Sequence, residues 1–403
     1  MTNARFRVIR LAALSATLFL CSLPVFSQNG GTAADQKPGF LRAEGTSIVD
    51  GTGDEFWIRG IAFGNDVWSR PSTPPEAHHS QEDYARIKSL GFNSVRFYLN
   101  YQLFEDDAQP FIYKESGFEW IDRNVEWARE RGIYLILNMH VPQGGFQSNA
   151  ETIALWKDKR LQKRFLALWT EIARRYSGEP QIAGYSILNE PGVHGGIKKW
   201  ETFANETVKA IRSVDANHII IVERMQCEVK AIGNVSYEEN ANGLLNFPII
   251  DDDNVMYEFH FYEPFPVTHQ GAEWLPSLRD TYCSYPGEFS DWDGTRKSGN
   301  RDFIERRISR FCEVAKRLGR PLYLGEFGAI RRSFEGGRGG ETWVRDVIDV
   351  CRSKGINLNY HTYHEVPFGL YYNDAGSLPS LRNDVLAETF SEALAEALSE
   401  VSR

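Results

Sequence analysis

Several features that mark specialised protein classes are missing from this chain. Only five of its 403 residues are cysteine, and the four that follow the N-terminal segment lack the paired spacing of a zinc site. No strand-like run is followed by a dinucleotide-type glycine loop, and there is no HExxH pattern. The formal net charge is −9 and no long basic run occurs, so nucleic acid is not an expected partner.

The four later cysteines are of two kinds. Cys312 and Cys351 stand within apolar stripes and are expected to be buried core thiols. Cys227 and Cys283 stand in predicted loops, where they could form a disulfide in an oxidising compartment or remain free thiols.

One long apolar run is present, and it lies near the N-terminus. Leu11–Phe26 follows three arginines, contains Pro24 and is followed by the small residue Ser27. A short run interrupted by proline is typical of a cleaved export signal rather than of a membrane span. We therefore expect a signal peptide over residues 1–27, a polar linker over residues 28–39, and a secreted or periplasmic protein with no membrane association after cleavage.

From residue 40 onward, short apolar segments alternate with amphipathic ones. Eight segments have the length and the β-branched, aromatic or aliphatic composition of strands. They are Phe56–Gly64, Ser94–Asn100, Tyr134–His140, Ile182–Asn189, His218–Glu223, Val255–Tyr262, Leu322–Phe327 and Leu358–Tyr363. Helical periodicity is found in Glu82–Leu90, Phe118–Arg131, Leu161–Tyr176, Lys199–Val214, Ile304–Leu318 and Thr342–Ser353.

This alternation predicts an α/β fold with a parallel sheet. Eight strands over about 340 residues favour a closed (β/α)8 barrel that fills residues 40–403, with a doubly wound open sheet as the alternative. Phe40–Ile48 and Glu55–Ile58 flank Asp50–Gly53, which predicts a short N-terminal hairpin at the barrel floor. Glu263–Asn300 is the longest irregular stretch and is expected to lie over the C-terminal face.

Two predicted strands end in a glutamate. The fourth closes on Asn189-Glu190-Pro191, and the seventh contains Glu326 followed by Phe327. A carboxylate is costly to bury in an apolar strand unless it has a partner or a function. Because active sites of such barrels form at the C-terminal strand ends, the two carboxylates are expected to face each other, as retaining glycoside hydrolysis requires.

Asn189-Glu190-Pro191, together with Glu326 on the seventh strand, resembles glycoside hydrolase family 5 within the clan A retaining hydrolases. The resemblance extends from about Phe40 to the C-terminal helix. It implies a TIM barrel in which Glu190 is the acid/base and Glu326 is the nucleophile.

Other residues match the same family pattern. The resemblance implies that Arg96 supports the nucleophile and that His140 lines the subsite of the cleaved sugar. It implies that His260 and Tyr262 form the sixth-strand pair, with Tyr262 donating to the nucleophile, and that Asn189 binds the sugar's 2-hydroxyl. The residues themselves agree, because a buried Arg96 requires a carboxylate opposite it and would keep that carboxylate ionised.

The eighth strand departs from the family pattern. The family usually has a tryptophan there, under the cleaved sugar, whereas this chain reads Tyr360-His361-Thr362-Tyr363-His364-Glu365. His361 or Tyr363 could take that place. His361 and His364 with Glu365 could alternatively suggest a metal site, but no HExxH-type helix is present, and neither a metal nor a cofactor is expected.

Three tryptophans in predicted loops are candidate platforms for stacking sugar rings. Trp68 follows the first strand, and Trp274 and Trp292 lie in the long irregular stretch. The alternative is that they are ordinary surface aromatics.

These observations predict a secreted retaining glycosidase, a cellulase-like endoglucanase that cleaves a β-glucan by double displacement. The expected partner is a β-linked oligo- or polysaccharide, and a monomer is expected. The alternatives are a β-mannanase or an exo-acting β-glucosidase of the same family, a non-catalytic carbohydrate-binding barrel, and a metal hydrolase built on His361 and His364.

Overall fold

Eight parallel strands close into a barrel in the computed structural model, which describes residues 39–148, 151–365, 367–372 and 381–401. The strands are β1 (Arg59–Phe63), β2 (Ser94–Asn100), β3 (Tyr134–Val141), β4 (Ile182–Ser186), β5 (Ile219–Glu223), β6 (Val255–His260), β7 (Leu322–Phe327) and β8 (Asn357–Tyr360). Each strand pairs with its neighbours in chain order, and β8 pairs with β1. The predicted closed barrel is confirmed.

In the described residues, seven helices of nine or more residues pack around the barrel. They are α1 (Gln81–Ser89), α2 (Glu115–Glu130), α3 (Lys159–Tyr176), α4 (Gly196–Arg212), α5 (Arg301–Leu318), α6 (Gly340–Ser353) and α7 (Asp384–Val401). Their apolar stripes form one large core with the outward-facing strand side chains. All six helices predicted from periodicity are confirmed within a few residues.

The shorter elements lie in the connections. One-turn helices span Ala154–Lys157, Phe265–Thr268, Tyr101–Leu103 and Arg331–Phe334. Hairpins or strand pairs are formed by Glu105–Asp106 with Gln109–Tyr113, Gly287–Ser290 with Arg296–Gly299, and Tyr371–Tyr372 with Leu381–Arg382. Between β5 and β6 the described chain contains a hairpin, Cys227–Ala231 with Asn234–Ser236, instead of a helix.

That hairpin pairs with the segment that follows Glu190. Gly192–Val193 pairs with Cys227 and Glu228, so a three-stranded sheet forms directly after Pro191. The Gln226 N–H also donates to the Pro191 carbonyl at 3.0 Å. The segment after β4 is thereby fixed to the segment after β5.

The N-terminal residues close the barrel floor. Leu41 and Ile48 are buried in a cluster with Ile58, which precedes β1, and with Ile219 and Tyr323 at the N-terminal ends of β5 and β7. The hairpin itself differs from the prediction, because its strands are Arg42–Glu44 and Ser47–Val49 and its turn contains Gly45 at φ +58°.

The predicted Asp50–Gly53 turn is a second turn that follows this hairpin. The Asp50 carboxylate accepts backbone N–H groups of Thr52, Gly53 and Asp54, which stabilises a turn bridged by Val49 and Glu55. Both turns are therefore present. The turn of the first hairpin requires a left-handed backbone at position 45, which glycine adopts without a steric penalty.

All four cysteines that follow the N-terminal segment are free thiols. Cys227 and Cys283 therefore do not form the disulfide that the sequence left open. Cys351 is buried as predicted, and Cys312 is half-buried against the core.

The predicted signal peptide and nearly all of the predicted linker, residues 1–38, lie outside the described residues. Within the described ranges, no helix has both the length and the apolar character needed to cross a membrane.

Candidate active site

The two glutamates singled out in the sequence meet at the carboxyl ends of the strands. Glu326 is on β7, and Glu190 follows β4 by four residues. A carboxylate oxygen of Glu190 lies within 4.8 Å of one of Glu326. This close approach is compatible with the carboxyl separation of about 5–5.5 Å in retaining glycosidases.

Three hydrogen-bond donors surround Glu326. Arg96 Nη1 and the Tyr98 hydroxyl each donate to Oε1 at 2.8 Å, and the Tyr262 hydroxyl donates to Oε2 at 2.8 Å. The side chain is almost fully buried. Oε2 therefore carries fewer hydrogen bonds than Oε1 and is the freer of the two oxygens.

The surroundings of Glu326 favour its ionised form. Burial alone would raise its pKa, but the positive charges of His260, His361 and Arg96 hold that pKa well below its usual range. The direction agrees with the expectation for Arg96, although the two histidines contribute more than the arginine does.

Arg96, on β2, connects β6, β7 and the segment that follows β4. Besides Glu326, its guanidinium contacts Glu258 Oε1 on β6 at 2.8 Å and donates to Asn189 Oδ1 at 2.9 Å. Arg96 and Glu258 are completely buried. The sequence predicted one carboxylate opposite this arginine, and the structure provides two.

His260 lies between two pairs of carboxylates. Its Nδ1 is 3.0 Å from Glu190 Oε1 and 3.7 Å from Glu326 Oε2, whereas Nε2 faces Glu258 and Glu223 at 3.5 and 3.6 Å. Burial opposes a charge on this ring, but the carboxylates of Glu223 and Glu326 raise its pKa well above the usual range. His260 is therefore an imidazolium that donates to Glu190.

This protonation bears on metal binding. In the described ranges, two clusters are compact enough to hold an ion, Glu190–His260–Glu326 and Glu223–Glu258–His260. Both depend on a ring nitrogen of His260, and an imidazolium has no lone pair to offer a metal. A metal ion at either cluster would have to displace the proton from that nitrogen.

Glu190 has an unusual backbone. Its φ is +42°, in the left-handed region, and its N–H donates to Glu223 Oε2 at 2.6 Å. Glu223 ends β5 and is buried, which raises its pKa well above the usual value. The carboxyl of Glu223 thus fixes the peptide that presents Glu190 to the cleft.

Asn189 is oriented by Arg96 and keeps a free donor. Its Oδ1 is occupied by the guanidinium, whereas its buried Nδ2 has no hydrogen-bond partner among the described residues. An unpaired buried donor is costly, so an acceptor on a bound ligand would stabilise this arrangement.

His140 stacks on Tyr98 with ring centroids 3.9 Å apart. Burial and the nearby charge of Arg96 lower its pKa well below the usual value, so the ring is neutral. Its Nδ1 contacts Asn138 Oδ1 at 3.1 Å and therefore carries the proton, which leaves Nε2 as an acceptor.

The end of β8 is occupied by His361. Its Nδ1 is 3.0 Å from the Tyr98 hydroxyl, and its Nε2 is 3.1 Å from Glu365 Oε2. His364 points elsewhere, because its Nδ1 contacts the carbonyl of His78. The two histidines therefore do not form the metal site that the sequence left as an alternative.

The expectation that Tyr363 could bind substrate is wrong. Its side chain is fully buried, packs on Phe63 and donates to Asp83 Oδ1 of α1 at 2.7 Å. Because β8 ends at Tyr360, alternation along a strand no longer applies at residue 363. Tyr363 is a structural residue between the barrel and α1.

Replacing Tyr363 with phenylalanine should therefore affect stability and not catalysis. The loss of one buried hydrogen bond to Asp83 is expected to lower the free energy of unfolding by about 1–2 kcal/mol. Urea unfolding would measure this, and kcat/KM should match the parent. A raised KM at unchanged stability would instead indicate that Tyr363 contacts the substrate.

The three loop tryptophans are exposed near the site. Trp68 is 54% exposed, with its ring 5.5 Å from that of His140. Trp274 and Trp292 are 53% and 64% exposed. Trp274 contacts Phe368, whose ring is 5.3 Å from His361, and Trp292 contacts Phe265 beside Tyr262.

Sequence reasoning missed three residues of this site: Tyr98, Glu223 and Glu258. Tyr98 stands two residues after Arg96 on β2, so strand alternation places both on one face. Glu223 is the last residue of β5 and repeats the pattern of an apolar strand that ends in a carboxylate. These signals were present in the sequence.

The chain resembles several characterised proteins. The family model "Cellulase (glycosyl hydrolase family 5)" matches residues 49–366. Endoglucanase C of Acetivibrio thermocellus is 29% identical over 311 residues, which are 73% of this chain and 87% of that protein. Cellodextrinase A of Ruminococcus flavefaciens is 31% identical over 62% of this chain and 68% of its own length.

Solved structures agree with these relatives. The endoglucanase Cel5A of Thermotoga maritima has a TM-score of 0.64 and 26% identity, and the match covers 83% of this chain and 96% of that one. Since the family match spans residues 49–366 and a solved endoglucanase has the same fold, the chain belongs to glycosyl hydrolase family 5, the cellulase family, and is an O-glycosyl hydrolase.

Proposed function

We propose that this protein is a secreted, retaining β-glycosidase that cleaves a β-glucan within the chain, with Glu326 as nucleophile and Glu190 as acid/base. The observation that carries the proposal is the short separation of the two carboxylates, one of which is surrounded by positive groups and hydroxyl donors. The N-terminal sequence supports export.

In the first step, Glu326 attacks the anomeric carbon while the glycosidic C–O bond breaks. The leaving oxygen takes a proton from Glu190, and a covalent glycosyl ester forms on Glu326. Oε2 is suited to attack because Arg96 and Tyr98 occupy Oε1. We assign the sugar's 2-hydroxyl as the acceptor for Asn189 Nδ2, a buried donor with no partner among the described residues.

In the second step, Glu190 removes a proton from water, and the water oxygen attacks the same carbon. The ester bond to Glu326 breaks and the carboxylate is restored, so two inversions give net retention. His260 Nδ1, 3.0 Å from Glu190 Oε1, holds that carboxyl in the cleft during this step.

Relatives and surface aromatics support a glucan as substrate. Similar proteins are endoglucanases and a cellodextrinase. Trp68, Trp274 and Trp292 give exposed faces on which sugar rings can stack. Because Cel5A of Thermotoga maritima has also been solved with mannotriose, a β-mannan is the second candidate substrate.

The purified protein should release reducing sugar from carboxymethylcellulose or mixed-linkage β-glucan, with viscosity falling early, as internal cleavage requires. Proton NMR during the first turnovers should show the β-anomer as initial product. Mannan and aryl glycosides complete the substrate panel. An initial α-anomer would contradict the mechanism, and hydrolysis of mannan alone would contradict the glucan assignment.

A further inference from the structure

A chain of three hydrogen bonds leads away from Glu326 toward the protein surface. The Tyr98 hydroxyl lies 2.8 Å from Glu326 Oε1 and 3.0 Å from His361 Nδ1, and His361 Nε2 lies 3.1 Å from Glu365 Oε2. Exposure rises along this chain, from the buried Tyr98 through His361 at 13% to Glu365 at 37%.

The direction of each hydrogen bond follows from the available protons. An ionised Glu326 can only accept, so Tyr98 donates its single proton to Oε1. The Tyr98 oxygen must then accept from His361, which requires a proton on Nδ1. Glu365 as a carboxylate accepts from Nε2, so His361 carries protons on both nitrogens and is a cation.

We propose that His361 and Glu365 are positioning residues which, through Tyr98, deliver a positive charge to the nucleophile and hold it ionised and fixed in place. This inference rests on the proposed role of Glu326. It gives the end of β8 a role in controlling the nucleophile, where the family usually has a neutral tryptophan.

Glu365 is required to keep His361 protonated, because His361 is buried among groups of both signs. Burial alone would lower the pKa of His361, but Glu365 and Glu326 raise it above the usual value. The titratable or charged groups around Glu326 and His361 lie on β2, β3, β6 and β7 and in the segments that follow β4, β6 and β8. They are Arg96, Tyr98, His140, Glu190, Glu258, His260, Tyr262, His269, Glu326 and Glu365.

Glu365 is the most exposed member of this set, and it contacts neither Glu326 nor Arg96 directly. Its replacement by glutamine keeps the shape and removes the charge that stabilises the His361 cation. His361 should then lose its proton at neutral pH. With that positive charge gone, the pKa of Glu326 should rise.

The test is kcat/KM against pH on a soluble β-glucan for the parent and for Glu365→Gln. The acidic limb reports the ionisation of the nucleophile and should move to higher pH by about half a unit, while the basic limb stays in place. NMR of imidazole-labelled protein should show a lowered pKa for His361, with the signal assigned from His361→Gln.

Tyr98→Phe tests the route of the effect. It should move the acidic limb further than Glu365→Gln does, and adding Glu365→Gln to it should produce little extra shift, because both changes break one network. Glu335→Gln is the matched control, since Glu335 is an exposed glutamate 3.5 Å from Arg331 in the loop after β7. The acidic limb of this variant should stay where it is in the parent.

Two results would overturn the proposed effect of His361 and Glu365 on Glu326. If His361 loses its proton in Glu365→Gln while the acidic limb stays fixed, the charge does not reach Glu326. If only KM changes, His361 contacts sugar instead. Both outcomes leave the proposed function intact, because the two catalytic glutamates remain in Glu365→Gln and only their own substitutions test it.

Discussion

Replacing Glu326 with glutamine is expected to lower kcat on β-glucan by about 10⁴-fold or more, because the amide cannot form the glycosyl ester. The shape is nearly unchanged, so a cello-oligosaccharide should still bind, which isothermal calorimetry can measure. Loss of binding together with activity would indicate a damaged cleft. Activity near that of the parent would mean that another group is the nucleophile.

Glu326→Ala with added azide identifies the role more sharply. The vacated space admits the small anion, whose nitrogen attacks the anomeric carbon as the glycosidic C–O bond breaks and Glu190 protonates the leaving oxygen. One inversion occurs, so a β-glycoside should yield an α-glycosyl azide. Formation of the β-azide would contradict the assignment, since it requires an intact nucleophile.

Glu190→Ala should have the second largest effect, and its size should depend on the leaving group. On natural β-glucan, whose leaving alcohol needs a proton, kcat/KM should fall by about 10²–10⁴-fold. On an aryl glycoside with an acidic phenol, formation of the glycosyl ester should be nearly unaffected, and azide should accelerate the second step to give the β-glycosyl azide. An equal loss on both substrates would mean that Glu190 is not the acid.

The surface variant Glu206→Gln on α4 serves as a control for both experiments, because Glu206 is exposed and lies outside the site. Its activity should equal that of the parent. Thermal unfolding of all variants would separate a loss of chemistry from a loss of fold.

Much of the fold followed from local patterns. Strand composition and helical periodicity are properties of consecutive residues, so β2 and β7 were predicted with their observed bounds. The end of β4 was not, since Ile187 and Asn189 still bond to neighbouring strands while their backbone leaves the regular ladder. The turn at Gly45 was missed because Asp50–Gly53 carries an equally strong turn signal.

The site was predicted only in part. Glu190, Glu326 and Arg96 stand out because a charged group in an apolar strand is costly to bury unless it has a partner or a function. Glu258 did not stand out, because its role depends on which groups the barrel places opposite it. Tyr363 was misplaced for the same reason, since the strand end determines which way its side chain points.

The left-handed backbone of Glu190 sets a limit on how far this enzyme can be stabilised. Such a conformation costs a residue with a side chain about 1–3 kcal/mol, and here it is maintained by the hydrogen bond to a buried Glu223. Glycine at position 190 would relieve that cost and remove the proposed acid/base. Stability and activity therefore oppose each other at this residue, and efforts to raise the melting temperature should be directed to the outer helices, away from the turn after β4.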